Sequence, residues 1–237
     1  KFKSTYRELY DKFNSTKPEF GEIANSVLLQ FENISKRFEA FEQSMENNDY
    51  NEVTKIIKSI DEMLKHMQIV IDEVPSIVLM ATSVIPKKIT EISQIYQDMV
   101  KEGYPLDYLN VDYNITEANK KLNDIMDRTR VLNLEDSLFE LKVLVEYFDS
   151  LFNDFEKEKN DRRIYDELVD TFVSKISKIN SLVDDIFSQI NDIKNVYNLS
   201  EEDLNLLNQV KEEINVLNSD YDVLKTHTGN HTFAYSK

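Results

Sequence analysis

Residues 134–197 read LEDSLFELKVLVEYFDSLFNDFEKEKNDRRIYDELVDTFVSKISKINSLVDDIFSQINDIKNVY, with no glycine and no proline. From Tyr165 an apolar residue recurs at alternating steps of four and three: Tyr165, Val169, Phe172, Ile176, Ile179, Val183, Ile186, Ile190, Ile193 and Tyr197. Upstream the same rhythm carries Leu134, Leu138, Leu141, Val145, Phe148, Phe152 and Phe155. A spacing of about 3.5 residues keeps one apolar seam on one face of a slightly supercoiled helix. Unbroken, that helix would be about 95 Å long at 1.5 Å per residue. The seam slips between Phe155 and Tyr165, where Lys159 and Arg162 fall on seam positions. That charged stretch is expected to hand one bundle over to the next.

The rest of the chain agrees with a reading of few, long helices. Its 237 residues include only three glycines and four prolines, so turns are scarce. Hydrophobic residues make up 41%, enough for a packed core. The net charge of −16 disfavours nucleic-acid backbones and anionic lipid. There is no cysteine, which excludes disulfides, thiol catalysis and thiolate-bound zinc. No uncharged apolar run of transmembrane length and no signal peptide is found. The sequence reads as an excised fragment.

Taken in order, a first helix is expected over 5–45, disturbed near Pro18 and Gly21. Asp49 then looks like an N-cap, with Glu52 completing a capping box. A second helix spans 50–102 with a kink between 72 and 86, where Pro75 and Pro86 remove backbone donors. Its wide stripe suits a three-helix bundle better than a two-stranded coil. Gly103 and Pro105 end it. A short third helix follows over 112–131, then the long one. Asn198-Leu199-Ser200 stops that helix, Ser200 and Asp203 forming a relative of the capping box. A fifth helix carries Leu207, Val210, Ile214, Leu217, Tyr221 and Leu224. Long and short helices alternate, with similar features recurring after about 90 residues. The expected fold is therefore all-α: an elongated array of spectrin-like antiparallel three-helix repeats sharing long helices. The first repeat region is 1–111 and the second 112–237, with truncated ends.

Catalytic chemistry is not legible. The carboxylates read as solvated helix faces. His227 and His231 are spaced as helical zinc ligands, but the zincin glutamate is missing and Gly229 weakens the helix. His66 stands alone. No glycine-rich phosphate loop exists, and the Tyr and Phe stripes read as core. Neither enzymatic activity nor a cofactor is expected. The one unusual loop is the apolar hairpin around Tyr104, Pro105, Leu106 and Tyr108. It reads as a bundle cap packed on an adjoining repeat, with an exposed partner-docking knob as the alternative.

Five blocks carry a family resemblance: YRELYDKF at 6–13, EGYPLDYLNV at 102–111, NLEDSLFELK at 133–142, YNLSEEDL at 197–204 and FAYSK at 233–237. In content, order and spacing the sequence resembles the septation ring formation regulator (EzrA) family of low-GC Gram-positive bacteria. The resemblance implies one N-terminal membrane-spanning helix and a large cytoplasmic domain of spectrin-like repeats in an arc. It also implies action at the division septum, binding to the tubulin-like protein FtsZ, opposition to extra rings, and scaffolding of other division proteins. The anchor and the family's distal Gln-Asn-Arg patch are not in this stretch, so no functional position is carried over from them. Membrane contact is expected only through that anchor, and nucleic acid is not an expected partner. The favoured reading is a non-enzymatic scaffold and negative regulator of FtsZ ring assembly. The alternative is a helical-repeat spacer or cell-surface adhesin stalk with no FtsZ partner. A coiled-coil arm of an ATPase fits the wide stripes poorly.

Overall fold

Proline, glycine and asparagine set the helix boundaries. The computed structural model describes residues 1–228 and 233–236, apart from the side chains of Leu224, His227 and Thr228. Among the described residues there are eight α-helices and no strand. They are α1 (Phe2–Thr16), α2 (Ala24–Glu46), α3 (Tyr50–Leu79), α4 (Ile85–Lys101), α5 (Val111–Arg130), α6 (Ser137–Ser188), α7 (Ile190–Tyr197) and α8 (Glu201–Thr228).

The disturbance expected near Pro18 and Gly21 splits the first helix in two. Lys17–Ile23 form a 3-10 turn in which Gly21 takes φ +51 and ψ −130. A Cβ there would also meet Val78 Cγ1 at 3.4 Å. The glycine thus supplies both a conformation and a close approach. The kink expected between 72 and 86 is a π-type turn at Met80–Val84, between Pro75 inside α3 and Pro86 at the start of α4. Pro86 has no N–H to donate, and a widened turn accommodates the missing bond.

Three helix ends share one device. Asn48, Gly103 and Leu132 take φ of 57, 83 and 57. The N–H groups of Asp49, Tyr104 and Asn133 then each reach the carbonyl five residues back at 3.0 Å. This closes the last turn of α2, α4 and α5. At the other ends, the two expected capping boxes differ. Asp49 accepts the Glu52 N–H at 3.1 Å, but the Glu52 carboxylate turns to Lys55 at 3.3 Å, so only half the box forms. Around Ser200 the box closes both ways: Asp203 N–H donates to Ser200 Oγ at 3.2 Å and Ser200 N–H to Asp203 Oδ2 at 3.0 Å.

The stretch 134–197 is not one helix. α6 starts at Ser137, after Asp136 at φ 56, and is interrupted at Gln189 before α7. Just before the break, Ser188 Oγ donates to the Asp185 carbonyl at 2.8 Å, a local bond that competes with the helical ladder.

The chain forms two compact units. The first comprises Lys1–Asp98 and Leu109–Phe152, the second Met99–Tyr108 and Asn153–Lys237. The core of the first holds the fully buried side chains of Phe13, Phe20, Phe31, Ile60, Met67, Ile77, Ile92 and Phe148. α5 adds Ala118, Leu122 and Ile125. The span Tyr50–Lys101 has an 18-residue window of mean hydropathy 1.7, apolar enough by composition to cross a membrane, and a third of that window is buried in the fold. In the second unit α6 and α8 run antiparallel. Phe172 meets Tyr221 with ring centroids 6.0 Å apart, and Asn180 and Asn218 exchange two amide bonds of 2.9 Å. Of the seam positions from Tyr165 onward, Ile176 alone is buried. Phe172, Ile179 and Ile186 stay part-exposed, and Tyr197 is largely exposed, contrary to their expected place in a core.

Gly21→Ala is expected to lower the unfolding free energy by about 1–2 kcal/mol, the cost of a Cβ in left-handed backbone. Asn48→Gly, at an exposed position of similar φ that closes α2 and suits either residue, is expected to change it by no more than about 0.5 kcal/mol. Urea denaturation followed by circular dichroism checks both.

Candidate functional site: a buried carboxylate on the long helix

The charged stretch of α6 does not interrupt the seam. Phe155, Glu158, Arg162 and Tyr165 follow one another at steps of three, four and three, so one helix face continues with two charged members. Lys159, expected on the seam, instead pairs with Glu156 at 3.1 Å on the outer face. Glu158 is 0% exposed. Burying a carboxylate is costly unless donors replace its water.

Donors come from two distant segments. The Tyr108 hydroxyl donates to Glu158 Oε1 at 2.9 Å. The Tyr235 N–H donates to Oε2 at 2.9 Å, and the Ser236 N–H to Oε1 at 3.2 Å. Ser236 Oγ also donates to Oε1. Burial pushes the Glu158 carboxyl up, but the Ser236 and Tyr108 hydroxyls and the two backbone N–H groups outweigh it and hold it below the ordinary carboxylate value. The same burial, with the neighbouring carboxylate, pushes the Tyr108 phenol up against a smaller opposing effect of Ser236.

One turn on, the Arg162 guanidinium lies 4.6 Å from the Tyr104 ring centroid and 5.8 Å from that of Tyr235. Its Nη1 donates to the Glu102 carbonyl at 2.9 Å, satisfying a carbonyl at the end of α4. Tyr235 packs edge-on against Tyr104 at 6.0 Å and Tyr165 at 5.6 Å. The hairpin residues singled out in the sequence therefore divide. Tyr104 faces Arg162, Leu106 is buried, Pro105 is half-buried, and Tyr108 keeps 39% of its surface exposed while its hydroxyl reaches Glu158. The hairpin and the 233–236 segment meet on the same face of α6. Glu158, Arg162 and Tyr235 were not candidates in the sequence. The signal that could have found the first two is the unbroken spacing through Phe155 and Tyr165.

Chemically this is a clamp. Both Glu158 oxygens are engaged by donors of the chain itself, which suits holding segments together better than moving a proton. Among the described residues no group of three His, Cys, Asp or Glu is placed to hold a metal. His66 is half-buried on α3. His231, Gly229 and the side chain of His227 lie outside the described residues, as does Lys237 of the FAYSK block.

An all-helical chain with a segment-binding clamp is the class that fold and site define. The family follows from comparison. The family model described as "Septation ring formation regulator, EzrA" matches residues 1–237, and the chain belongs to that family. The chain is 22% identical over 237 residues to the septation ring formation regulator EzrA of Staphylococcus epidermidis, covering 100% of this chain and 42% of the relative. With the Bacillus licheniformis protein of the same name it shares 25% over 140 residues, 59% of this chain and 25% of the relative. With that of Listeria monocytogenes it shares 20% over 184 residues, 78% and 32% respectively. The chain thus spans less than half the length of these relatives. No solved structure matches it.

Glu158→Gln is expected to destabilise the second unit by about 2–3 kcal/mol at pH 7, because the amide replaces one acceptor by a donor facing donors. The folded carboxyl lies below the ordinary glutamate value of 4.5. Its contribution is therefore fully present above that pH and is lost as pH falls through the lower folded value. The gap between parent and variant should close over that acid range, read by hydrogen exchange of the Tyr235 and Ser236 amides. Arg162→Lys should cost about 1 kcal/mol, through lost ring stacking, with no such pH dependence.

Proposed function

We propose that this chain is a section of a non-enzymatic cell-division scaffold, a negative regulator of FtsZ ring assembly acting by protein–protein binding at the membrane. The family match over residues 1–237 carries this reading. The relatives are named septation ring formation regulators, and FtsZ with other division proteins are the partners the resemblance implies. The same reading puts the parent protein on the cytoplasmic side of the cell membrane at the division septum, held by a single membrane-spanning anchor. It also takes the helices as spectrin-like three-helix repeats, with repeat regions at 1–111 and 112–237. The 52 residues of α6 suit such an array. The hairpin is proposed to serve mainly as a packing element through Tyr104 and Leu106, with Pro105 and Tyr108 at the edge open to a partner.

The mechanism is electrostatic and steric. A chain of net charge −16 bound along a filament gives the filament a like-charged coat. Two coated filaments repel within a screening length of about 8 Å at physiological salt. Lateral bundling is opposed, and filament growth need not be touched.

The test is sedimentation of FtsZ polymers with and without the chain, with bundling followed by light scattering. The chain is expected to co-pellet and to lower scattering at physiological salt. The loss of scattering should weaken near 1 M salt, where screening shortens to about 3 Å. No co-pelleting and unchanged scattering at saturating chain would refute a regulatory surface in this section.

A further inference from the structure

We propose that the row of side chains flanking the α6–α8 seam is a register lock: Asn180–Asn218 and Phe187–Lys211 together hold α8 at one of several heptad-related positions along α6. The inference goes beyond the reading above and does not depend on it. The seam itself does not choose a position. On α6 Phe172, Ile176, Ile179, Val183 and Ile186, and on α8 Leu207, Val210, Ile214, Leu217 and Tyr221, follow alternating steps of three and four. Sliding one such stripe along the other by seven residues sets apolar side chains against apolar side chains again, so apolar contact does not tell the registers apart. The connection does not choose either. α7 buries none of its residues and is set off from α6 by the break at Gln189, so its eight residues can take up a slide of one heptad.

The flanking row does choose. Asn180, Phe187, Lys211 and Asn218 each directly follow a seam residue, so all four stand beside the seam rather than in it. Asn180 and Asn218 are part-buried and exchange two amide bonds of 2.9 Å. One heptad on, Lys211 Nζ lies 4.6 Å from the Phe187 ring centroid. The two contacts are seven residues apart on each helix, in opposite chain directions, so both report the same antiparallel register. A slide of α8 by seven residues, one way or the other, faces Asn180 with Lys211 or Lys225 and Phe187 with Leu204 or Asn218. Both contacts are then lost together. A polar residue beside an apolar seam fixes alignment in this way, because its hydrogen bonds are made in one register only. The alignment bears on the clamp. A slide of seven residues carries the end of α8 about 10 Å along α6. With it goes the lead-in to the 233–236 segment that donates to Glu158.

The chain has no cysteine, so nitroxide labels on Ser174→Cys and Asn205→Cys, both at exposed positions, report the register in the whole chain by pulsed electron paramagnetic resonance. The labelled parent should give one distance. The test permutes three residues of α8: Leu204→Lys, Lys211→Asn and Asn218→Leu. Composition and net charge are unchanged, but the lysine and the asparagine each stand one heptad earlier. Asn180 then finds an amide, and Phe187 a lysine, only after α8 slides by seven residues. That slide of about 10 Å brings the labels together, so the main distance should shorten by roughly 5–10 Å, with helical content near the parent's by circular dichroism. If the permuted chain fails to fold, Lys211→Asn with Asn218→Lys moves the asparagine alone, and the same shortening is expected. A parent with two distances a heptad apart, or a folded variant that keeps the parent's distance, overturns the proposal.

Discussion

A glutamate occupies a position where the seam of the long helix asks for an apolar residue, and the second unit is arranged to make that tolerable. An ionised carboxylate removed from water costs several kcal/mol unless hydrogen bonds replace its hydration. Glu158 receives those bonds from Tyr108 in the hairpin and from Tyr235 and Ser236 near the end of the chain. The cost of leaving it unpaired holds three stretches, far apart in sequence, to one another. Apolar packing alone is poorly directional, whereas a carboxylate with four specific donors selects one arrangement.

Arg162 works in the same face by another route. Its planar cation lies over Tyr104 and near Tyr235, and its N–H reaches a helix-terminal carbonyl. The hairpin is thereby tied at both ends, by Arg162 at Glu102 and Tyr104 and by Glu158 at Tyr108. The Gly103 turn makes this possible, since its positive φ reverses the chain directly after α4. A short apolar loop that would otherwise be a liability in water is thus packed onto the helix it faces.

Most of the helical order was legible in the sequence because it rests on local chemistry. Pro18 and Gly21 marked the first break, Pro75 and Pro86 the π-type turn, and Ser200 with Asp203 the last helix start. What was not legible rests on pairing between distant residues. Glu158 is not legible because a charge in a seam reads as an interruption until its donors, up to 78 positions away, are known. Spacing alone puts Lys159 on the seam, a step of four after Phe155, whereas a step of three selects the buried Glu158 and leaves Lys159 to pair with Glu156. The break at Gln189 has neither a proline nor a glycine to announce it, and ten regular apolar positions run straight through it. Seam periodicity also overstated burial. It identifies which face of α6 is apolar, but the partner that covers that face is not encoded in the spacing, and Phe172, Ile179 and Ile186 remain part-exposed.

The central claim, that one buried carboxylate couples the hairpin to the 233–236 segment, is tested most directly by a double-mutant cycle. Tyr108→Phe and Ser236→Ala would be made singly and together, and unfolding free energies measured at pH 7. The two hydroxyls share the Glu158 carboxylate, so their effects should be non-additive by more than about 0.5 kcal/mol. Additivity within about 0.3 kcal/mol would mean that the two residues act independently, and the clamp as described would be wrong.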